Sequence, residues 1–262
     1  MNEADFGRFA IEAARAGGDV LRRRFVRRDR MDVEEKGLHD YVTAIDREAE
    51  AAVLEVLRRR APDHAILAEE GGTGGGSSEH RWIVDPLDGT TNFIHGVPTF
   101  AVSVALEDPD GLVAGCVHDP CRDETFHAHR GGGAFLNGAP IACTAVDQLD
   151  AALIATGFPF RELTRLTGYL AAFERFVRST SGLRRAGSAS LDLAYTACGR
   201  YDGFFEVGLS AWDLAGGSIL VTEAGGIVTD VRGGSEFLRE GSVVAAGRGI
   251  HAAMLAITEA TL

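Results

Sequence analysis

The sequence predicts a protein in two parts, an α+β first part and an α/β second part. Apolar residues recur at helical spacing near the amino terminus, and short apolar runs typical of strands follow them. Beyond Thr144, patterns typical of strands and of helices alternate along the chain, as in α/β proteins. We therefore expect a boundary near residues 141–151, with units 1–145 and 146–262 forming one compact body.

Helices are predicted where apolar residues share one helical face. The first, with Phe6, Phe9 and Ala13 on that face, is amphipathic. Thr43 is the expected cap of the second helix, and Gly199 follows the fourth as a terminating residue. The predicted helices cover residues 5–25, 44–60, 164–178, 188–198 and 211–223.

Strands are predicted at short apolar runs, and the run from Phe100 to Leu106 shows period-two alternation. The glycine-rich segment 71–78 lacks the G-K-[ST] ending of a phosphate-binding loop, so we interpret it as a surface loop. The predicted strands cover residues 65–68, 81–84, 100–106 and 112–117.

Composition excludes several classes of protein. Acidic residues outnumber basic ones by 38 to 26, and the net charge of -12 argues against a nucleic-acid-binding surface. No apolar run reaches membrane-spanning length, and no secretory leader pattern opens the chain. The four cysteines form no C-x-x-C pair, which favours a reduced environment. We expect a cytoplasmic protein without a membrane partner.

The stretch W-I-V-D-P-L-D-G-T-T-N-F, from Trp82 to Phe93, places two carboxylates at the end of an apolar run. Asp-Pro and Asp-Gly are turn dipeptides, so a plain turn is one interpretation. The other is a site, because a strand through Val84 delivers Asp85 to its carboxyl end, where α/β sheets place ligands. Pro86 stiffens the backbone, so the Leu87 carbonyl can point to the same place as both aspartates.

The segment Gly89 to Thr91 presents N–H groups at a predicted helix start, which is a cradle for an anion. Two carboxylates beside it would repel a phosphate unless cations stood between them. Oxygen ligands favour Mg²⁺, with Mn²⁺ as a substitute. Further ligands are expected from Glu69 or Glu70 and from Asp213. Taken singly, these residues are better explained by a solvated strand end and a helix cap, but together with the two aspartates they favour a metal site.

Several sequence blocks together resemble the signature blocks of the inositol monophosphatase family. Their order and spacing agree over nearly the whole chain, and D-P-L-D-G-T-T is the most specific of them. The blocks are D-Y-V-T-A-I-D (40–46), L-A-E-E (67–70), W-I-V-D-P-L-D-G-T-T-N-F (82–93), R-R-A-G-S-A-S-L-D-L-A-Y (184–195), D-G-F-F-E-V-G-L (202–209), A-W-D-L-A-G-G (211–217) and V-T-E-A-G-G-I-V (221–228).

The resemblance implies two or three Mg²⁺ ions that activate a water and neutralise the leaving oxygen. It implies that Asp46 and Thr90 orient this water, with Glu69 also taking part in catalysis. Asp46 has a second interpretation as part of a capping arrangement with Thr43. The implied metal ligands are Glu69, Asp85, the Leu87 carbonyl, Asp88 and Asp213.

The resemblance also implies a set of substrate contacts, in which Glu206 accepts hydrogen bonds from sugar hydroxyls. Lys36 matches a lysine in a flap over the metals, and an exposed connecting lysine is an equally good interpretation. The implied substrate-binding residues are Asp88, Gly89, Thr90, Gly187, Ser188, Ala189 and Glu206.

The implied function is hydrolysis of inositol monophosphate, a small phosphorylated polyol. Fructose 1,6-bisphosphate, histidinol phosphate and 3′-phosphoadenosine 5′-phosphate are alternative substrates. Arg184 and Arg185 could reach a second phosphate, although we favour a solvated or subunit-interface pair. A non-catalytic binding or regulatory protein on the same fold is the alternative from another class.

The resemblance finally implies an architecture and an assembly. It implies a layered α-β-α-β-α sandwich of the type shared with fructose-1,6-bisphosphatase, assembled as a homodimer. In this arrangement unit 1–145 would carry most metal ligands, and unit 146–262 would complete the active site.

Overall fold

Two large β-sheets, a separate two-stranded hairpin and the helices around them are seen in a computed structural model that describes residues 2–27, 33–37, 40–160 and 162–262. The helices are α1 (Glu3–Arg27), α2 (Ala44–Arg60), α3 (Thr90–His95), α4 (Leu166–Ser179), α5 (Ala189–Ala197), α6 (Ala211–Glu223), α7 (Phe237–Glu240) and α8 (His251–Glu259). The strands are β1 (Val33–Gly37), β2 (Asp40–Thr43), β3 (Ala65–Ala68), β4 (Gly72–Gly74), β5 (Arg81–Asp88), β6 (Ala101–Asp108), β7 (Gly111–Asp119), β8 (Glu124–His129), β9 (Gly133–Leu136), β10 (Ala139–Ile141), β11 (Leu153–Thr156), β12 (Gly182–Arg184), β13 (Gly203–Val207), β14 (Ile227–Thr229) and β15 (Ser242–Ala246).

The larger sheet has eight strands in the order β10-β9-β8-β7-β6-β5-β3-β4, and β1 pairs with β2 in a separate hairpin. Its strands pair antiparallel except β3 and β5, which run parallel and therefore end at the same edge. The smaller sheet has the order β12-β11-β13-β15-β14, with β11 parallel to both of its neighbours.

Helices and sheets alternate in five layers. Helices α1 and α2 cover one face of the larger sheet, α5 and α6 lie between the two sheets, and α4 and α8 cover the smaller sheet. Buried apolar side chains, among them Trp82, Phe204 and Phe205, fill the spaces between layers. The layered α-β-α-β-α sandwich is therefore confirmed. Across the described ranges, no helix has the length and apolar character needed to cross a bilayer.

The predicted helices and strands are found, with shifted ends. A short 3-10 turn, Leu163–Arg165, precedes α4, so this helix begins two residues later than expected. Gly199 adopts the left-handed conformation directly after the cap of α5, as predicted. Strand β5 continues four residues beyond Val84, because its pairing with β6 resumes after an irregularity. The boundary between 1–145 and 146–262, like the homodimer, stays a prediction.

Two adjacent glycines allow α6 to fit between the larger sheet and α5. A Cβ atom on Gly216 would overlap the Ser103 hydroxyl of β6, and one on Gly217 would overlap the Leu193 side chain of α5. The helix axis can therefore lie closer to both neighbours than side chains would allow. Asp213 lies in the first turn of this helix, so the close packing also fixes where its carboxylate lies.

We expect Gly217→Ala to lower the free energy of unfolding by about 1–3 kcal/mol, because the added methyl group overpacks the contact with Leu193. Urea denaturation measures the change. Gly7→Ala in α1 is the matched control, since its Cβ would lie 3.7 Å from His129 in ordinary contact. The control should be neutral or stabilising by up to about 1 kcal/mol, because alanine favours helix. Equal effects of both changes would contradict the close-packing explanation.

Candidate metal and catalytic site

A β-bulge in β5 turns two aspartates toward the same place. Asp85 pairs with Ser103 of β6, and Asp88 pairs with Ala101, so β5 uses one residue more than its partner over this interval. In a regular strand, residues three apart point to opposite faces, and one extra residue cancels that alternation. Pro86 lies in the bulge, where its missing N–H costs no ladder hydrogen bond.

Asp85, Asp88 and Asp213 form a buried cluster. One carboxylate oxygen from each lies within 4.8 Å of the others, and the three residues are only 1%, 7% and 8% exposed. Like charges this close and this buried are costly unless a cation neutralises them. Hard oxygen donors at this spacing fit a divalent ion such as Mg²⁺.

The protein holds one oxygen of each clustered aspartate with hydrogen bonds. Asp85 Oδ1 accepts from the Leu87 amide at 3.0 Å, and Asp213 Oδ2 accepts from the Ser210 amide at 2.6 Å. Asp88 Oδ2 accepts from the Ser188 hydroxyl at 2.6 Å, from the Ser190 amide at 2.8 Å and from the Ser190 hydroxyl. Such bonds orient metal-ligating carboxylates.

Two members of the cluster, Asp85 and Asp88, have raised pKa values, chiefly because they are buried. Burial raises the pKa of Asp85 well above its usual range, and the charges of Glu69, Asp88 and Asp213 raise it further. Burial also raises the pKa of Asp88, opposed by the hydrogen bonds from Ser188 and Ser190. A bound cation would reverse these shifts, because it favours the ionised form.

Glu69 joins the cluster through the parallel pairing of β3 with β5. It directly follows β3, and its amide donates to the Val84 carbonyl at 3.2 Å. Of the two candidate glutamates, Glu69 lines the cleft, whereas the Glu70 amide donates to the Glu50 carboxylate at 2.9 Å. The parallel register thus selects between two residues that the sequence left open.

Thr90 and Asp46 form a second polar pair beside the cluster. The Thr90 hydroxyl lies 3.3 Å from Asp46 Oδ1 and 3.0 Å from the Leu87 carbonyl. Asp46 is 1% exposed, in the first turn of α2. The capping alternative for Asp46 depends on the Thr43 side chain, which lies outside what the structure describes.

Gly89 makes the turn from β5 into α3 with φ at 95°, a conformation that strains any other residue. A Cβ there would lie 3.0 Å from the Thr99 carbonyl oxygen and 3.2 Å from that of Gly187. Asn92 fixes the same region, because its amide nitrogen lies 2.7 Å from the Thr99 oxygen and 2.9 Å from that of Ala186. Asn92 stands in the quoted motif, but no pattern in the sequence singles it out.

The cleft above the cluster contains the predicted substrate residues from the second half of the chain. Gly187, Ser188 and Ala189 line it at the start of α5, and Glu206 lines it from β13. The Glu206 carboxylate lies directly against Gly157, where a Cβ would overlap it. Sequence reasoning did not identify Gly157 or the aromatic residues that follow it, because no motif marks them.

The predictions for the arginine pair and for Lys36, the basic residues singled out in the sequence, have different outcomes. Arg184 and Arg185 are both exposed, as expected, but Arg185 in addition lines the cleft. The Arg184 guanidinium instead donates to the Leu183 carbonyl at 2.9 Å. Lys36 lies in β1, and its side chain is outside the described residues.

Fold and site together define a layered α/β protein with a buried cluster of carboxylates that could hold a metal ion at the carboxyl end of a strand. The chain belongs to the inositol monophosphatase family, whose sequence profile matches residues 2–261. The resemblance found in the sequence is therefore confirmed.

Relatives carry two kinds of name. Nus factor SuhB of Pseudomonas aeruginosa is 50% identical over 251 residues, which are 94% of this chain and 93% of the relative. The extragenic suppressor protein suhB of Bartonella henselae has a structure with a TM-score of 0.93 and 41% identity, covering 97% of this chain and 98% of that one. An inositol monophosphatase from Anabaena (Nostoc) sp. PCC 7120 has a TM-score of 0.87 and 39% identity, covering 98% and 96%.

We expect Mg²⁺ to raise the melting temperature more at pH 8 than at pH 5. A carboxyl with a raised pKa keeps its proton as the pH rises, and ionising it without a cation destabilises the fold. At low pH, protons compete with the cation for the same oxygens. At 100 times the dissociation constant, Mg²⁺ contributes about 2.7 kcal/mol, a shift on the order of 5–10 °C.

Calorimetry with Mg²⁺ or with EDTA, at constant ionic strength, measures this difference. Asp85→Asn should shrink the shift at pH 8. A shift of equal size at both pH values would contradict binding at the ionised cluster.

Proposed function

We propose that this protein is a Mg²⁺-dependent phosphomonoester hydrolase that converts an inositol monophosphate and water into inositol and phosphate. The observation that carries the proposal is the buried aspartate cluster lying beside the Thr90–Asp46 pair. Membership of the inositol monophosphatase family supports it, as does the likeness to solved inositol monophosphatases.

The oxygen donors of the cluster would hold the ions. In this proposal Glu69, Asp85 and the Leu87 carbonyl bind one ion, and Asp85, Asp88 and Asp213 bind a second. Bound Mg²⁺ supplies Lewis-acid activation of water and neutralisation of charge on the phosphate. A third ion on Glu69 is part of the same proposal, and Mn²⁺ is the expected substitute.

The Thr90–Asp46 pair would position the attacking water. The Thr90 hydroxyl has one proton, which is directed toward Asp46 and the Leu87 carbonyl. Its oxygen lone pairs can therefore accept a hydrogen bond from water. Asp46 would take up the proton that the water loses. Holding the water in line with the scissile phosphorus–oxygen bond is the main contribution of this pair.

The opposite wall of the cleft would bind the rest of the substrate. Gly89, Thr90 and Asp88 face the phosphoryl group in this proposal, and Gly187, Ser188 and Ala189 face the ring. The Glu206 carboxylate would accept hydrogen bonds from ring hydroxyls, which favours a polyol over an apolar leaving group. Lys36 would close over the metals.

The first test is phosphate release from a panel of substrates at neutral pH, with Mg²⁺ or with EDTA. The panel holds inositol 1-phosphate, fructose 1,6-bisphosphate, histidinol phosphate and 3′-phosphoadenosine 5′-phosphate. We expect Mg²⁺-dependent turnover with the highest kcat/KM for inositol 1-phosphate. Faster turnover of another substrate would keep the mechanism and replace the substrate. Absence of turnover across the panel would overturn the proposal.

We expect Asp85→Asn to lower kcat by about 10³-fold or more while the protein stays folded, because the change removes a negative charge from the cluster that would hold the ions. Steady-state turnover and circular dichroism measure activity and folding. Asp230→Asn is the control, since Asp230 is also buried but accepts from the Arg232 and Gly234 amides in a turn. Activity of Asp85→Asn close to that of the control would refute the metal assignment.

We also propose a second role that needs no catalysis, in which the protein binds a component of the transcription machinery. The support is the name Nus factor, which curated relatives up to 50% identical carry. The net charge of -12 favours a protein partner over direct contact with nucleic acid.

We expect Asp85→Asn to bind purified transcription complexes as tightly as the wild-type protein, because the metal cluster is buried and a protein surface would not reach it. Co-elution in size-exclusion chromatography measures this. Loss of binding in the variant, or no binding by the wild-type protein, would contradict a separate role.

A further inference from the structure

Arg185 brings a positive charge to the rim of the cleft. Arg185 is the basic member of the described residues that line the cleft, whereas its acidic members include Glu69, Asp85, Asp88, Glu206 and Asp213. We propose that Arg185 binds a second phosphate group on the substrate, so that the site also takes bisphosphates of a polyol or sugar. The inference rests on the proposed phosphatase function and extends its substrate class.

Aromatic rings fix the Arg185 guanidinium in place. Its central carbon lies 5.5 Å from the ring centre of Phe158 and 5.3 Å from that of Phe160. The two rings meet edge to face at 5.6 Å, and the Phe160 amide donates to the Phe158 carbonyl at 2.8 Å across Pro159. Cation–π contacts of this kind hold a guanidinium without consuming its N–H donors.

The aromatic support is itself anchored in the core. Phe158 packs edge to face on Tyr169 of α4 at 5.6 Å, and Tyr169 is fully buried. Phe158 also lies 6.3 Å from Phe173 of the same helix. Phe160, by contrast, is exposed at the surface. Because Phe158 packs on the folded core, it restricts the position of the guanidinium before a substrate arrives, which lowers the entropy lost on binding.

The Arg185 donors have no acceptor in the described part of the chain. Its guanidinium makes neither a hydrogen bond nor an ion pair with the residues in ranges 2–27, 33–37, 40–160 and 162–262, in contrast to Arg200, which is paired with Glu124. A guanidinium presents its donors in a planar fork that matches two oxygens of a phosphate. A charged group held by aromatic faces, with its donors unused, has the chemistry of an anion-binding residue.

The location of Arg185 relates this charge to the substrate. A Cβ on Gly187 would lie 2.6 Å from Arg185 Nη1, so the guanidinium lies against the segment that faces the substrate ring. The Gly187 carbonyl in turn approaches Gly89 at the start of α3. The other charged residues in the described lining of the cleft are acidic, so a second phosphate needs a cation at this end.

Hydrolysis of such a substrate removes one phosphate and leaves the other. The water oxygen forms a bond to one phosphorus atom, the bond from this phosphorus to the sugar oxygen breaks, and the sugar oxygen receives a proton. The second phosphate makes no bond change and serves only for recognition by Arg185.

The test compares kcat/KM for fructose 1,6-bisphosphate and inositol 1-phosphate in three variants. Arg185→Gln should lower kcat/KM for the bisphosphate on the order of 10- to 100-fold, the usual range for a charge-assisted hydrogen-bond pair. In Arg185→Gln, kcat/KM for inositol 1-phosphate should stay within about threefold of the wild-type value. Arg185→Lys should give an intermediate loss, because lysine keeps the charge without the planar fork. Arg184→Gln is the matched control and should change neither substrate.

The salt dependence of KM distinguishes phosphate binding by Arg185 from a purely structural role, because a structural role would not change it. KM for the bisphosphate should rise more steeply with NaCl in the wild-type protein than in Arg185→Gln, because the ion pair is screened. Equal losses on both substrates in Arg185→Gln would overturn the inference, as would a wild-type protein that hydrolyses the monophosphate and ignores the bisphosphate. The second of these results would leave the proposed function standing.

A protein that hydrolyses neither substrate would refute the proposed function and still allow the inference to be tested. Isothermal titration of fructose 1,6-bisphosphate in Mg²⁺ then compares wild-type with Arg185→Gln. Weaker binding by the variant on the order of tenfold would support recognition of the second phosphate. Equal affinity, or no binding by the wild-type protein, would overturn it.

Discussion

Mutual repulsion among buried carboxylates is the constraint on which the site depends. One carboxylate oxygen from each of Asp85, Asp88 and Asp213 lies within 4.8 Å of the others. Glu69 is close enough for its charge to raise the pKa of Asp85 further. Nothing in the hydrophobic effect favours such an arrangement, and the surrounding layers must hold it in place. The bulge in β5, the parallel pairing of β3 with β5 and the hydrogen bonds on each carboxylate all serve this purpose.

The same constraint explains the packing of α6. Asp213 reaches the cluster because the helix lies close to both β6 and α5, and that closeness requires glycine at 216 and 217. Asp213 also accepts the Ser210 amide as part of the helix cap, so one carboxylate serves the helix and the cluster together. The cap and metal-ligand interpretations of this residue therefore do not exclude each other.

Local patterns in the sequence were sufficient for much of the fold. The helical spacing in α1 and the alternation in β6 are properties of neighbouring residues, and both predictions are confirmed. Strands β8 to β10 were not predicted, because β9 and β10 have only four and three residues, too few to show a clear alternation, and pairing with neighbouring strands helps to determine them.

The site shows the same division between local and distant information. The quoted motif identified the aspartates, but the choice of Glu69 over Glu70 depends on the register of two strands. The contact between Arg185 and the aromatic rings joins residues more than twenty positions apart in the chain, and no periodicity encodes it.

The wide spacing of the clustered residues along the chain has a consequence for folding kinetics. More than a hundred residues separate Asp88 from Asp213, and closing so long a loop costs entropy, so we expect it to close late in folding, when α6 docks between the sheets. With this order of events, the cation site would still be incomplete in the transition state for folding. A cation that binds only the completed cluster would lower the unfolding rate and leave the folding rate unchanged. Bound Mg²⁺ would in this way increase the kinetic stability of the native state without being needed for folding.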